Sequence, residues 1–122
     1  MEGTHKNLIV WQESINLAKQ IHKICVTFPQ YETFGLADQM RRPTASIPSN
    51  IAEGYGRGTE KEITHFLHIA MGSANELDTQ LILAKEFGYI SNETYEQLLS
   101  TLEPIIKMLR SLISKRCNTP KT

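Results

Sequence analysis

Residues 59–88, TEKEITHFLHIAMGSANELDTQLILAKEFG, decide how this chain folds. Ile63, Leu67, Ala70, Ala74, Leu77, Leu81, Ala84 and Gly88 recur at alternating spacings of four and three residues. That is a heptad seam: it places one apolar stripe along a long helix, and no strand register accommodates it. Thr59-Glu60-Lys61-Glu62 opens the helix as a capping box, in which the Thr59 hydroxyl and the Glu62 carboxylate each serve an amide without a helical partner. Gly88 and the following YISNE close it.

Such a stripe needs other apolar faces to cover it, and the flanking sequence supplies three. After Ser91, a good N-cap, a helix runs to about residue 115 with Tyr95, Leu98, Leu102, Ile105, Leu109 and Leu112 on one face. Leu99, Ile106 and Ile113 lie beside that face, Pro104 is expected to bend the helix, and 117–122, CNTPKT, read as a frayed tail. Upstream, 8–28 carry Leu17, Ile21, Ile24 and Phe28 opposite a wet stripe of Gln12, Asn16, Lys19, Lys23 and Thr27, until Pro29 ends the helix. Between them, 34–55 hold Leu36, Met40, Pro43, Ile47 and Gly54 near one seam. Pro43 and Pro48 fall inside this segment, so it is expected to be a kinked helix whose freed carbonyls find the hydroxyls of Thr44, Ser46 and Ser49 or water. Helices over 8–28, 34–55, 59–88 and 91–115 with short connections predict an all-α fold, an antiparallel up-and-down four-helix bundle with a kinked second helix, in a single domain over 1–122.

Composition narrows the function classes. Thirteen basic and thirteen acidic residues balance, but unevenly: Glu60 to Glu103 hold eight acids against Lys61 and Lys85, while Lys107, Arg110, Lys115, Arg116 and Lys121 follow. A basic patch fits a polyanion, and acids early with bases late also suit the helix dipole. Cys25 and Cys117 have no metal spacing and read as a buried thiol and a tail thiol. No apolar run reaches a membrane span and the N-terminus lacks the order of a secretory signal, so no membrane partner and a cytoplasmic location are expected.

The second and third helices meet at IPSNIAEGYGRGTEKE, 47–62. Gly54, Gly56 and Gly58 lack both the spacing and the lysine of a phosphate loop, and the dinucleotide fingerprint needs a preceding strand where a helix stands here. EGYG is like the opening of an RNA-binding strand, but Glu53 replaces its base and Arg57 its aromatic ring. The stretch therefore reads as a structural corner. Asn50, Glu53 and Arg57 share a helix face as a polar network, Thr59 and Glu62 cap the next helix, and Gly54 and Gly56 allow close approach or left-handed backbone. Glu62-Ile63-Thr64-His65 has the Glu-x-x-His spacing of di-iron bundles, but with Ile63 in the core both ligands point outward, and the spacing does not recur. No metal site, cofactor or catalytic residue is expected, and no enzyme signature is present.

QMRRPTASIPSNIAEGYGRGTEKE and FLHIAMGSANELDTQLILAKEFGYIS resemble the bacterial four-helix-bundle family encoded in intervening sequences of large-subunit ribosomal RNA genes. The resemblance is carried by Arg41-Arg42, Ser46-Ile47-Pro48, Asn50 to Gly54 and Gly56-Arg57, and covers nearly the whole chain. It implies a homopentamer without established catalytic activity. The accessory variability determinant of diversity-generating retroelements is similar too, a basic pentameric barrel that binds nucleic acid and a reverse transcriptase. The residues themselves point the same way in two respects. Phe66, Ile69, Ile82 and Leu83 lie off the third helix's seam, as a partner surface or as a wider core. Lys19, Lys23, Arg41, Arg42, Lys107 and Arg110 lie on outward stripes, as nucleic-acid contacts or as ordinary solvated charges. The expected function is a non-enzymatic homo-oligomer that binds RNA or DNA or acts as a ribonucleoprotein accessory factor. The alternative is a protein-interaction scaffold without nucleic-acid affinity.

Overall fold

The heptad forms as a 27-residue helix, and every other element is arranged around it. This computed structural model describes residues 4–117. Its helices are α1 (Ile9–Cys25), α2 (Leu36–Arg57), α3 (Glu60–Glu86) and α4 (Asn92–Cys117), with short 3₁₀ turns at His5–Asn7 and Gln30–Glu32. Among the described residues there is no strand. Each helix packs against its neighbours in sequence, and α1 closes the circuit on α4; α1 and α3, like α2 and α4, stand diagonally. The chain is an all-α four-helix bundle.

Leu67, Ala70, Ala74, Leu77, Leu81 and Ala84 of the α3 seam are fully buried, and Ile63 nearly so. They meet Leu17 and Ile21 of α1, Met40, Ile47 and Ile51 of α2, and Leu102, Ile105 and Leu109 of α4 in one core. A fully buried side chain of this size contributes roughly 1.5–3 kcal/mol, so the seam outweighs any surface contact. Gly88 lies past the end of α3 at φ 79°, where a side chain would be strained, and Tyr89 N–H returns to the Ala84 carbonyl at 2.9 Å.

Several helix ends differ from the sequence expectation. α1 stops at Cys25 rather than 28 because Thr27 and Phe28 tighten onto the carbonyls of Ile24 and Cys25, leaving Phe28 buried beyond the helix. α2 begins at Leu36 rather than 34: the Glu32 carboxylate accepts the Leu36 N–H at 3.0 Å, which leaves Phe34 outside. α2 also runs past 55 to Arg57, and Gly58 ends it at φ 81°. α4 continues to Cys117, the first residue of the tail expected over 117–122, and 118–122 lie outside the described residues.

α2 runs as one helix through Pro43 and Pro48, both buried. Pro43 has no N–H for the Gln39 carbonyl, and the partner comes from the neighbouring helix: Gln80 of α3 donates Nε2 to that oxygen at 3.1 Å. The expected hydroxyls act elsewhere, Thr44 on the Met40 carbonyl at 2.6 Å and Ser46 on Ser73 of α3 at 2.8 Å.

Gly54 and Gly56 have separate roles. A Cβ at Gly54 would stand 2.9 Å from Phe66 Cβ and 3.3 Å from Ile63 Cα, whereas one at Gly56 meets nothing within 4 Å. Close approach is thus the work of Gly54, left-handed backbone that of Gly58, and Gly56 serves neither. In urea denaturation Gly56→Ala should therefore gain about 0.5–1 kcal/mol from helix propensity. Gly54→Ala should lose up to about 2 kcal/mol, because overpacking exceeds the same gain.

Candidate functional site

Arg57 organises the α2–α3 corner from the last turn of α2. Its Nε donates to Glu53 Oε2 at 2.9 Å, the i,i+4 pair expected from spacing, and an η nitrogen reaches Glu62 Oε2 of α3 at 3.2 Å. Its guanidinium also lies 5.1 Å from the centre of the Phe66 ring. Thr59 caps α3 by accepting the Glu62 N–H at 3.2 Å and donates its hydroxyl to Glu62 Oε1 at 3.0 Å. The Glu62 carboxylate thus takes the Thr59 hydroxyl and Arg57. These two hydrogen bonds, Thr59 first, hold its carboxyl below the ordinary range.

Asn50 stands apart from this network. Its amide donates to the Ser46 carbonyl at 2.9 Å and hydroxyl at 2.8 Å, and Ser46 in turn meets Ser73. Two further groups were not foreseen. Arg116 of α4 lies 5.3 Å from the Tyr55 ring centre, donates to its hydroxyl at 3.2 Å, and comes within 3.5 Å of Glu60. At the opposite end of the bundle, Tyr89 donates to Glu32 Oε2 at 2.7 Å and shares a 3.1 Å hydrogen bond with Tyr31. The only sequence signals for these were a tyrosine in YISNE and an arginine in the last turn, and neither specifies a partner.

The expected oligomer contacts divide. Phe66 is half-buried under Arg57, whereas Ile69, Ile82 and Leu83 are each between 38% and 39% exposed. At 3.6 residues per turn Ile69 and Leu83 share a flank of α3, and Ile82 lies at least about 100° round from both, facing α4. The larger exposed apolar surface is at the bundle end carrying the α1–α2 and α3–α4 connections, where Phe34 is 92%, Tyr31 76% and Phe87 55% exposed.

The six candidate bases do not gather on one face. Lys19 and Lys23 are on α1, with Lys23 in the α1–α4 groove beside Thr94 and Gln97. Arg41 and Arg42 are on α2, and Arg42 pairs with Asp38 at 3.3 Å. Lys107 and Arg110 line the α3–α4 groove. Among the described residues no group of three or more His, Cys, Asp or Glu side chains could hold a metal ion, and no helix is long and apolar enough to cross a membrane.

Comparison with known proteins follows the corner and the seam. A family model described as 23S rRNA-intervening sequence protein matches residues 6–111, which include all of the α2–α3 corner. The chain belongs to this family. A crystal structure of a protein with unknown function from the S23 ribosomal protein family, from Bacteroides thetaiotaomicron VPI-5482, is similar at 28% identity and a TM-score of 0.80. The alignment covers 86% of this chain and 98% of that one. No curated protein matches.

Glu32, like Glu62, is held below its ordinary range, first by the Leu36 amide and then by the Tyr89 hydroxyl. A carboxyl depressed by folding stabilises the native state above its unfolded pKa and loses that contribution as pH falls through the lower folded value. The melting temperature should hold from neutral pH to the ordinary glutamate range and fall below it. Glu62→Gln should flatten that acid limb in thermal scans; an unchanged limb would exclude the corner from it.

Proposed function

We propose that this member of the 23S rRNA-intervening sequence protein family is a non-enzymatic homo-oligomer, pentameric as the sequence resemblance implies, that binds structured RNA or DNA as a ribonucleoprotein accessory factor. The observation that carries the reading is the state of the outward bases. Among the described residues Lys19, Lys23, Arg41, Lys107 and Arg110 make no ion pair within the subunit, and Asp38 engages only Arg42. Arg57 and Arg116, by contrast, are held at the corner by Glu53, Glu62 and Glu60. Uncommitted cations suit phosphate, and a ring multiplies a modest set on one subunit into a surface of useful charge. The resemblance to the accessory variability determinant supports both the pentamer and the polyanion. The second reading, a protein-interaction scaffold, is favoured by the exposed Tyr31, Phe34 and Phe87 at one end of the bundle.

A fluorescence titration with a structured RNA at several salt concentrations separates the two. Binding that weakens linearly in log salt is expected, and the double variant Lys23→Ala/Arg41→Ala should reduce the slope by about one to two ions. A stable oligomer without RNA affinity near physiological salt selects the scaffold. Arg57→Ala should lower the melting temperature while leaving RNA affinity unchanged.

A further inference from the structure

Tyr89 is the hub of an aromatic cluster at the bundle end that carries the α1–α2 and α3–α4 connections. Its ring centre lies 5.3 Å from that of buried Phe28, 5.7 Å from that of Phe87 and 6.4 Å from that of Tyr31. Phe87 and Tyr31 meet it edge-on rather than stacked, and both stay mostly exposed; Phe34, in the same α1–α2 connection as Tyr31, is more exposed still. The tyrosines are anchored at their polar tips. Tyr31 and Tyr89 share a hydroxyl hydrogen bond, Tyr89 donates to one oxygen of Glu32, and the other oxygen of Glu32 accepts the Leu36 N–H that opens α2. A surface ordered in this way before anything binds loses less entropy on binding.

Charge decides what such a surface takes. Glu32 and Glu86 adjoin the exposed rings in sequence, and Glu93 stands in the first turn of α4; among the described residues none of the three makes an ion pair. The bases near this end serve other surfaces. Lys85 Nζ lies 4.4 Å from the centre of the Tyr95 ring, Lys23 lines the α1–α4 groove, Arg42 pairs with Asp38, and the charge of Arg41 acts on Cys25. Exposed aromatic faces beside carboxylates without a cation attract an ammonium group, and a guanidinium better still, because its flat, weakly hydrated charge stacks on rings. The same carboxylates repel phosphate, so a nucleotide base stacked here would carry its backbone against them.

We infer that this end of the bundle docks a basic segment of a partner protein, with an arginine side chain seated against Tyr31 and Phe87 in the field of Glu32 and Glu86. The inference rests on the protein-interaction reading, to which it adds the chemistry of the partner, and it leaves Lys19, Lys107 and Arg110 available to nucleic acid elsewhere on the subunit. In a ring every subunit offers one such site, so a partner with repeated basic segments gains avidity.

Fluorescence anisotropy of labelled hexa-arginine, titrated with the full chain, tests it against a neutral Leu-Ser peptide of equal length. Wild type should bind hexa-arginine and not the neutral peptide. Phe87→Leu keeps an apolar side chain but removes the aromatic face, and should weaken hexa-arginine about two- to fivefold. Glu86→Gln should weaken it and reduce its salt dependence, whereas Glu13→Gln, near the other end of α1, should leave it unchanged; circular dichroism checks each variant for native helicity. Absence of hexa-arginine binding, full affinity in Phe87→Leu, or equal losses from the Glu13 and Glu86 variants overturns the inference. If the neutral peptide alone binds and is weakened by Phe87→Ala, the inference is overturned while the protein-interaction reading stands; if neither peptide binds, that reading loses its supporting surface as well. Single-stranded RNA that is bound more weakly by Phe87→Leu than by wild type makes the rings a platform for bases and overturns the inference in favour of nucleic acid.

Discussion

The bundle depends on how closely α2 can approach α3 at Gly54, where an added Cβ would press on both the backbone of Ile63 and the side chain of Phe66. Ile63 is the first residue of the buried α3 seam, so the depth at which α2 sits there sets the register of Ile51, Ile47 and Met40 against Leu67, Ala70, Ala74 and Leu77. The α2–α3 contact is accordingly the most extensive in the molecule, and α1–α4 the least. The alanines at 70, 74 and 84 extend the principle: small side chains in the seam let neighbouring helices close over it.

Polar groups between α2 and α3 then fix which arrangement of apolar surfaces is used. Gln80 supplies the donor that Pro43 cannot, Ser46 joins Ser73, and Arg57 ties Glu53 to Glu62. Each compensates for, or anchors, an irregularity in α2, and together they occupy the length of one interface. The side chains conspicuous in the sequence at 47–62 are therefore spent on packing two helices. That leaves functional chemistry to the uncommitted bases and the exposed aromatic end.

The fold was largely legible because its signals are local and repeated. The α3 heptad and the Thr59 and Ser91 caps act within a few residues of themselves, and each is realised in place. The Glu53–Arg57 pair was legible for the same reason, being one helical turn long. Asn50 was misassigned because spacing alone places it on the face of Arg57, while its amide finds a nearer carbonyl and hydroxyl one turn back at Ser46. Gly56 was misassigned because neighbouring glycines look alike in sequence, and only the positions of Phe66 and Ile63 distinguish Gly54 from it.

By itself the sequence determined four amphipathic helices, their order and their buried faces, since periodicity of 3.6 residues and capping chemistry are properties of short segments. Only the tertiary structure decided that Gln80 would complete a proline-broken helix forty-one residues away and that Arg116 would settle between Tyr55 and Glu60. Those outcomes depend on distances between helices, and such distances are set by the packing of the whole core.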